Sequence, residues 1–206
     1  MTAGWSDRAA SDGCNYPVTI GVDLEQADTT TMAFSCRGIG QVFLAADTLI
    51  ESISIWRGPW PPHLDAAPRR LFITETFSYN GQIIPDANRL LLDEVLNTRT
   101  EGDGIHPVEY RWVFDPPFAL PHRGHFYFDV LATYYSGWLV PAATTNPYPD
   151  GQAWGTGPLL DCLTPGEADD YRSPPHVDLI FAVRFCSTGA TAARPKSWGR
   201  TRLIYR

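Results

Sequence analysis

The feature that most constrains this chain is apolar alternation with a period of two, which recurs along its whole length. That period puts successive side chains on opposite faces of an extended strand, whereas a helix needs apolar residues three and four apart. In TLIESISIW (48–56), Ile53 and Ile55 share one face and Ser52 and Ser54 the other, which predicts a half-buried strand. In HFYFDVLAT (125–133), Phe126, Phe128 and Val130 point one way, and Tyr127 and Asp129 the other. In VDLIFAVRFC (177–186), Leu179, Phe181, Val183 and Phe185 form an inner row, with Cys186 on the face of Arg184. Further strands are expected at 18–24, 40–45, 70–77, 109–114, 134–140 and 201–205, while RLLLDEVL (89–96) suits a strand or a short helix equally.

Nine or ten short strands separated by Gly, Pro, Asn and Asp describe an all-β fold, an antiparallel jelly-roll-like β-sandwich. No helix-length periodic segment interrupts them, which disfavours a parallel sheet with crossover helices. The 206 residues contain 17 Gly and 18 Pro, which excludes long helices and coiled coils. A chain of this length buries about 70% of its surface on folding, enough for one substantial core. The Pro-rich connections GPWPPHLDAAP (58–68), PAATTNPYPDG (141–151) and 161–175 each lead straight back into apolar strands, so none reads as a linker. A single domain over 1–206 is expected, with 1–39 an N-terminal extension carrying the first strand and 40–206 the jelly-roll core.

The formal charge of −7 repels a phosphate backbone and no basic run offsets it, so nucleic acid is not an expected partner. No stretch approaches the roughly 18 apolar residues of a membrane helix. Residues 1–12 lack the charged-then-apolar pattern of a signal peptide, so an export signal is expected to be absent or already removed. The four cysteines, Cys14, Cys36, Cys162 and Cys186, fall two on each side of a long cysteine-free middle, without zinc-type spacing. Two local disulfides, Cys14 to Cys36 and Cys162 to Cys186, are the natural reading among three possible pairings, with four buried thiols as the alternative. Bridges would place the chain in an oxidising compartment.

From Gly40 onward the order of features resembles the jelly-roll, carbohydrate-binding-module-like domains of bacterial surface and secreted proteins, including those called choice-of-anchor domains. The segments that carry the resemblance are GQVFLA followed by SISIW, then YRWVFDPPFALPHRGHFYFDV with Leu120, Gly124 and Tyr127 at the family's spacing. The tract NPYPDGQAW adds Tyr148 and Gly151. The resemblance implies a non-enzymatic module displayed outside the cell that binds glycan or mediates assembly, and it carries no invariant functional residue.

The favoured ligand surface comprises Tyr134, Tyr135, Trp138, Asn146, Tyr148, Asp150, Gln152 and Trp154. Aromatic faces pack against the C–H face of a pyranose while Asn, Asp and Gln bind its hydroxyls. The same rings would serve equally to cover the end of the sandwich or to seat a neighbouring subunit. Trp56 and Trp60 around Gly58-Pro59 form a second candidate, against the plainer reading of a loop packed on its own sandwich. His122 and His125 sit at a turn entering a strand, the wrong geometry for two ligands of one metal. Glu101-Gly102-Asp103-Gly104 is acidic but lacks calcium-loop spacing. No metal or cofactor is expected.

Nucleophile elbows, phosphate-binding loops and facing carboxylate pairs are all missing, so the chain is expected not to be an enzyme. A jelly-roll glycosidase or lyase would need two facing acids, or a Tyr/His and Arg cluster, in a cleft. The expected role is a binding or assembly module at an extracellular, cell or virion surface. Glycan or neighbouring protein subunits are its partners, in a homo- or hetero-oligomeric assembly. The alternative is a structural subunit of a virion, phage tail or extracellular fibre.

Overall fold

A computed structural model describes residues 14, 16–33, 37–59, 69–96, 103–132, 138–156, 171–172, 177–187 and 202–203. The elements run β1 (Tyr16–Val22), a single 3-10 turn (Leu24–Gln26), β2 (Thr29–Ala33), β3 (Gly38–Leu44), β4 (Leu49–Arg57) and β5 (Arg69–Tyr79). They continue with β6 (Gln82–Leu96), β7 (Val108–Ala119), β8 (His125–Ala132), β9 (Trp138–Ala143), β10 (Ala153–Thr156), β11 (Tyr171–Arg172), β12 (Asp178–Leu179), β13 (Phe181–Ser187) and β14 (Arg202–Leu203). The ambiguous segment 89–96 is strand, the second half of β6.

Three antiparallel sheets form, ordered β1-β13-β4-β7-β14, β11-β10-β3-β8-β5-β6 and β12-β9-β2. The pairings of the two larger sheets are nested about one turn. β5 pairs with β6, β4 with β7, β3 with β8, and β1 with β13. The chain is thus a ribbon doubled back on itself, closed at the β5–β6 turn and open where β1 meets β13.

The two larger sheets stack through the alternating rows. Ile39, Phe43, Leu71, Ile73, Phe126, Phe128 and Val130 of one meet Ile50, Ile53, Ile55, Tyr110, Trp112, Phe181, Val183 and Phe185 of the other. Ring contacts cross the gap from Phe43 to Phe185 at 6.3 Å and from Phe128 to Phe181 at 5.6 Å. The expected inner row of Leu179, Phe181, Val183 and Phe185 is fully buried. It passes between sheets at Ile180, whose amide donates to the Pro141 carbonyl of β9.

The expectation of a half-buried β4 is corrected, because Ser52 and Ser54 are buried as well. Ser54 stands opposite Arg111 of β7. Its hydroxyl accepts from Arg111 Nε at 2.9 Å and donates to Glu109 at 2.8 Å, so charged side chains lie across the outward face. Alternation reports which way a side chain points, not how much covers it.

The disulfide expectation is also corrected. Cys14 bonds Cys186 across 172 positions of sequence, with Cα atoms 4.9 Å apart. Pro17 lies opposite Cys186 in the β1–β13 ladder, so the bridge staples the open end of the doubled ribbon. Nested pairing brings sequence-distant ends together, which defeats pairing by proximity. Cys36 and Cys162 lie outside the described residues.

A second, smaller core lies on the outward face of the six-stranded sheet. Val42, Tyr127 and Trp154 pack there beneath Ile83, Ile84 and Ala87 of β6. The strand reaches them through an irregularity, since Thr74 stands opposite Leu90 but Glu75 opposite Asp86, leaving residues 87–89 out of the ladder. Bulges of this kind bend a hairpin.

Candidate functional site

The eight ligand candidates do not form one aromatic surface among the described residues. Tyr134 and Tyr135 lie outside them, and Trp138 opens β9. The segment 144–152 is tethered at its start by Asp28, whose carboxylate accepts from the Thr144 amide at 2.9 Å and the Thr144 hydroxyl at 2.8 Å. Asn146, in the left-handed region at φ 51°, and Asp150 are exposed, and Gln152 is half-buried.

Tyr148 turns inward and is only 8% exposed. Its hydroxyl accepts from the Leu44 amide at 3.0 Å, and its ring meets Phe181 edge-on at 5.2 Å. Its own amide donates to Asp178 at 3.0 Å, and the other oxygen of Asp178 accepts from Gln41 Nε2 at 2.9 Å. Gln41 Oε1 in turn accepts from the Leu179 amide at 2.9 Å. This buried network ties β3 to the strand that switches sheets. Burial pushes the Asp178 carboxyl above the usual carboxylate range, against the pull of the Tyr148 amide and Gln41. Tyr148 is therefore a plug in the core with no free face for a sugar.

Trp154 is 5% exposed in the outward cluster, and its carbonyl accepts from the Tyr127 hydroxyl at 3.0 Å. The reason lies in β10, which pairs with β3 so that Ala153 faces the main core and Trp154 the opposite side. Gly40 stands opposite Trp154, and a Cβ there would strike the Tyr127 ring. Trp56, of the second candidate pair, packs half-buried against the main core, and Trp60 lies outside the described residues.

Asp129 is the most unusual ionisable group. It is fully buried, and among the described residues neither oxygen has a hydrogen-bond partner of ordinary geometry. Burial pushes its carboxyl up to about 7, against weaker opposing pulls from Tyr127 and the Val130 amide. A Cβ on Gly38 would collide with that carboxylate, so glycine there makes the room it occupies.

Arg57, Arg69 and Tyr110 do come together, with the Arg69 guanidinium 5.9 Å from the Tyr110 ring. All three are buried, and desolvation lowers the Arg69 pKa. Asp103 closes its own turn, accepting from the Ile105 and His106 amides at 2.8 Å each. The His106 side chain and these amides hold its carboxyl well below the usual range, and both oxygens are thereby committed. Glu101 and Gly102 lie outside the described residues. His122 contacts the Arg123 carbonyl at 2.9 Å and stacks near Phe126, and no group of three metal-ligating side chains occurs among the described residues.

The surface feature that the sequence reading passed over is the far half of the β5–β6 hairpin. Asn80 and Gly81 form its turn with φ 50° and 78°, the left-handed pair of a type I′ hairpin. Directly opposed residues share a face, so Tyr79 with Gln82, Phe77 with Ile84 and Glu75 with Asp86 form three successive rows on one side. Tyr79 is 61% and Phe77 38% exposed. Arg89 ends the rows, 2.7 Å from Glu75 and 3.5 Å from Asp86. The Asn-Gly pair between apolar alternations in FSYNGQII was the signal available for it. No family model, curated protein or solved structure matches the chain.

Proposed function

We propose that this chain is a non-catalytic module displayed at an extracellular, cell or virion surface, and that it works by binding a glycan through exposed aromatic side chains. The observation that carries this reading is the contrast between interior and surface. The buried polar side chains Gln41 and Asp178 are spent on cross-links, while two aromatic rings of the β5–β6 hairpin stand outward. The bridge Cys14–Cys186 supports an oxidising compartment. We read the connectivity as a jelly roll. The nested order β1-β13-β4-β7 over β3-β8-β5-β6 supports this, with β10, β11 and β14 as additions at the edges.

A second reading, a structural subunit of a virion, tail or fibre, is favoured by exposed apolar side chains on edge strands, Val18 on β1 and Leu90 and Val95 on β6. Light scattering after size exclusion, together with a glycan array, tests both. A monomer that binds glycan is the expected result. A closed oligomer that binds none refutes the glycan reading in favour of the subunit.

A further inference from the structure

Strand β6 is the outer strand of the six-stranded sheet, paired with β5 on one side and with nothing on the other among the described residues. A strand in that position leaves a row of N–H and C=O groups able to pair with a further strand. The first half of β6 is unsuited to this. Pro85 has no N–H to donate, and residues 87–89 and 91 fall out of the ladder with β5. From Leu92 to Leu96 the ladder is regular, running opposite Ile73 to Arg69 without a break.

A groove of about 380 Å³ lies where this regular stretch begins, lined by Leu90, Leu91, Leu92, Asp93 and Glu94. Successive side chains of a strand point to opposite faces, and the ladder closes the β5 side. Five residues in a row therefore line one groove only where it follows the free edge. Leu90 in the groove and the following Val95 are 42% and 45% exposed. Asp93 is already engaged, since Arg70 donates to both its oxygens at 2.6 Å. Glu94 is half-buried on the side of the strand that carries Leu92 and Leu96, and it makes no hydrogen bond or ion pair among the described residues.

We propose that the 92–96 edge of β6 takes up an extended segment of another protein as an additional strand. A Lys or Arg of that segment stands opposite Glu94, with apolar residues two positions to either side, opposite Leu92 and Leu96. In this mode main-chain hydrogen bonds supply the attachment and alternate side chains the selection. Charge decides the occupant. A second copy pairing antiparallel over the whole of 92–96 sets Glu94 against its own counterpart, and like charges directly opposed destabilise a ladder. The formal charge of −7 adds repulsion between copies and attracts a basic segment instead. The attachment uses no aromatic ring and is independent of the glycan reading above.

The test is fluorescence polarisation of a labelled peptide, Thr-Val-Thr-Lys-Thr-Val-Thr blocked at both ends, titrated with the full chain. Saturable binding is expected, about tenfold weaker when Glu replaces Lys in the peptide. Glu94→Lys should reverse that preference, and Glu94→Gln, which keeps the size of the side chain, should bring the two peptides within about twofold. Methylating the peptide's amide nitrogens at alternate residues should abolish binding in one phase and spare it in the other, because only every second residue of a paired strand turns its N–H to the neighbour. A melting curve for each variant checks the fold. No saturable binding of the Lys peptide, equal loss in both methylation phases, or a preference unchanged in Glu94→Lys overturns the inference. So does sedimentation showing a dimer of the chain that the peptide does not dissociate, because a second copy then holds the edge.

Discussion

Two buried side chains show how much a single residue decides here. Asp129 has a native pKa near 7 against an ordinary carboxyl value of 3.8. Between those two values the native state holds a proton the unfolded chain has released, so stability falls as pH rises from about 4 to about 7 and is flat beyond. A shift of that size corresponds to about 4 kcal/mol from this one group. Asp129→Asn is therefore expected to flatten the profile and raise stability at pH 8 by about 1–3 kcal/mol. Denaturant unfolding at pH 5 and pH 8 measures it, and an unchanged difference between the two pH values would refute the assignment. Tyr148→Phe removes the acceptor of the Leu44 amide, with an expected loss of about 1–2 kcal/mol and no effect on glycan binding. A loss of binding without loss of stability would put Tyr148 back at the ligand surface.

The strands differ in how plainly they were written. β4, β8 and β13 were legible because large apolar residues alternate with small or polar ones over at least seven positions. β2, read TTTMA, carries no such contrast, and β10 is four residues long, so neither rises above its loop-like surroundings. In β6 the leucine run 90–92 hides the period, because residues 87–89 leave the ladder and the alternation changes phase across them. The ligand segment failed for a related reason. Its Pro and Gly suggest an open loop, yet Trp154 is pulled into a ladder with β3, and Gly151 lets the chain approach so closely that a Cβ would strike the Val42 carbonyl. Burial of that kind comes from partners distant in sequence. The β5–β6 turn offers a direct test of an element. Gly81 has φ 78° and open space where a Cβ would stand, so Gly81→Ala meets conformational strain alone. It should cost about 1–2 kcal/mol in unfolding and speed amide exchange in residues 76–85. Unaltered exchange there would mean that the turn does not set the register of the hairpin.

Across the whole molecule, the doubled ribbon has one continuous end and one stapled end. Most of the contacts between its residues join positions far apart in sequence, which is why cysteine spacing misled and strand alternation did not. Closing a loop of 172 positions removes a large part of the unfolded chain's freedom, about 5 kcal/mol in the chain-entropy estimate, with measured values commonly nearer 3. Cys14→Ser with Cys186→Ser should lower stability by roughly that range. A peptide map under non-reducing conditions should yield a cross-linked fragment containing both residues. A fragment joining Cys14 to Cys36 instead would refute the staple.

The same bridge has a mechanical consequence. Tension applied through the segments before Cys14 and after Cys186 passes from one to the other along a covalent bond, bypassing the strands between them. While that bond holds, the sandwich behaves under load as an inextensible link, and the strands between the two cysteines carry none of the pull.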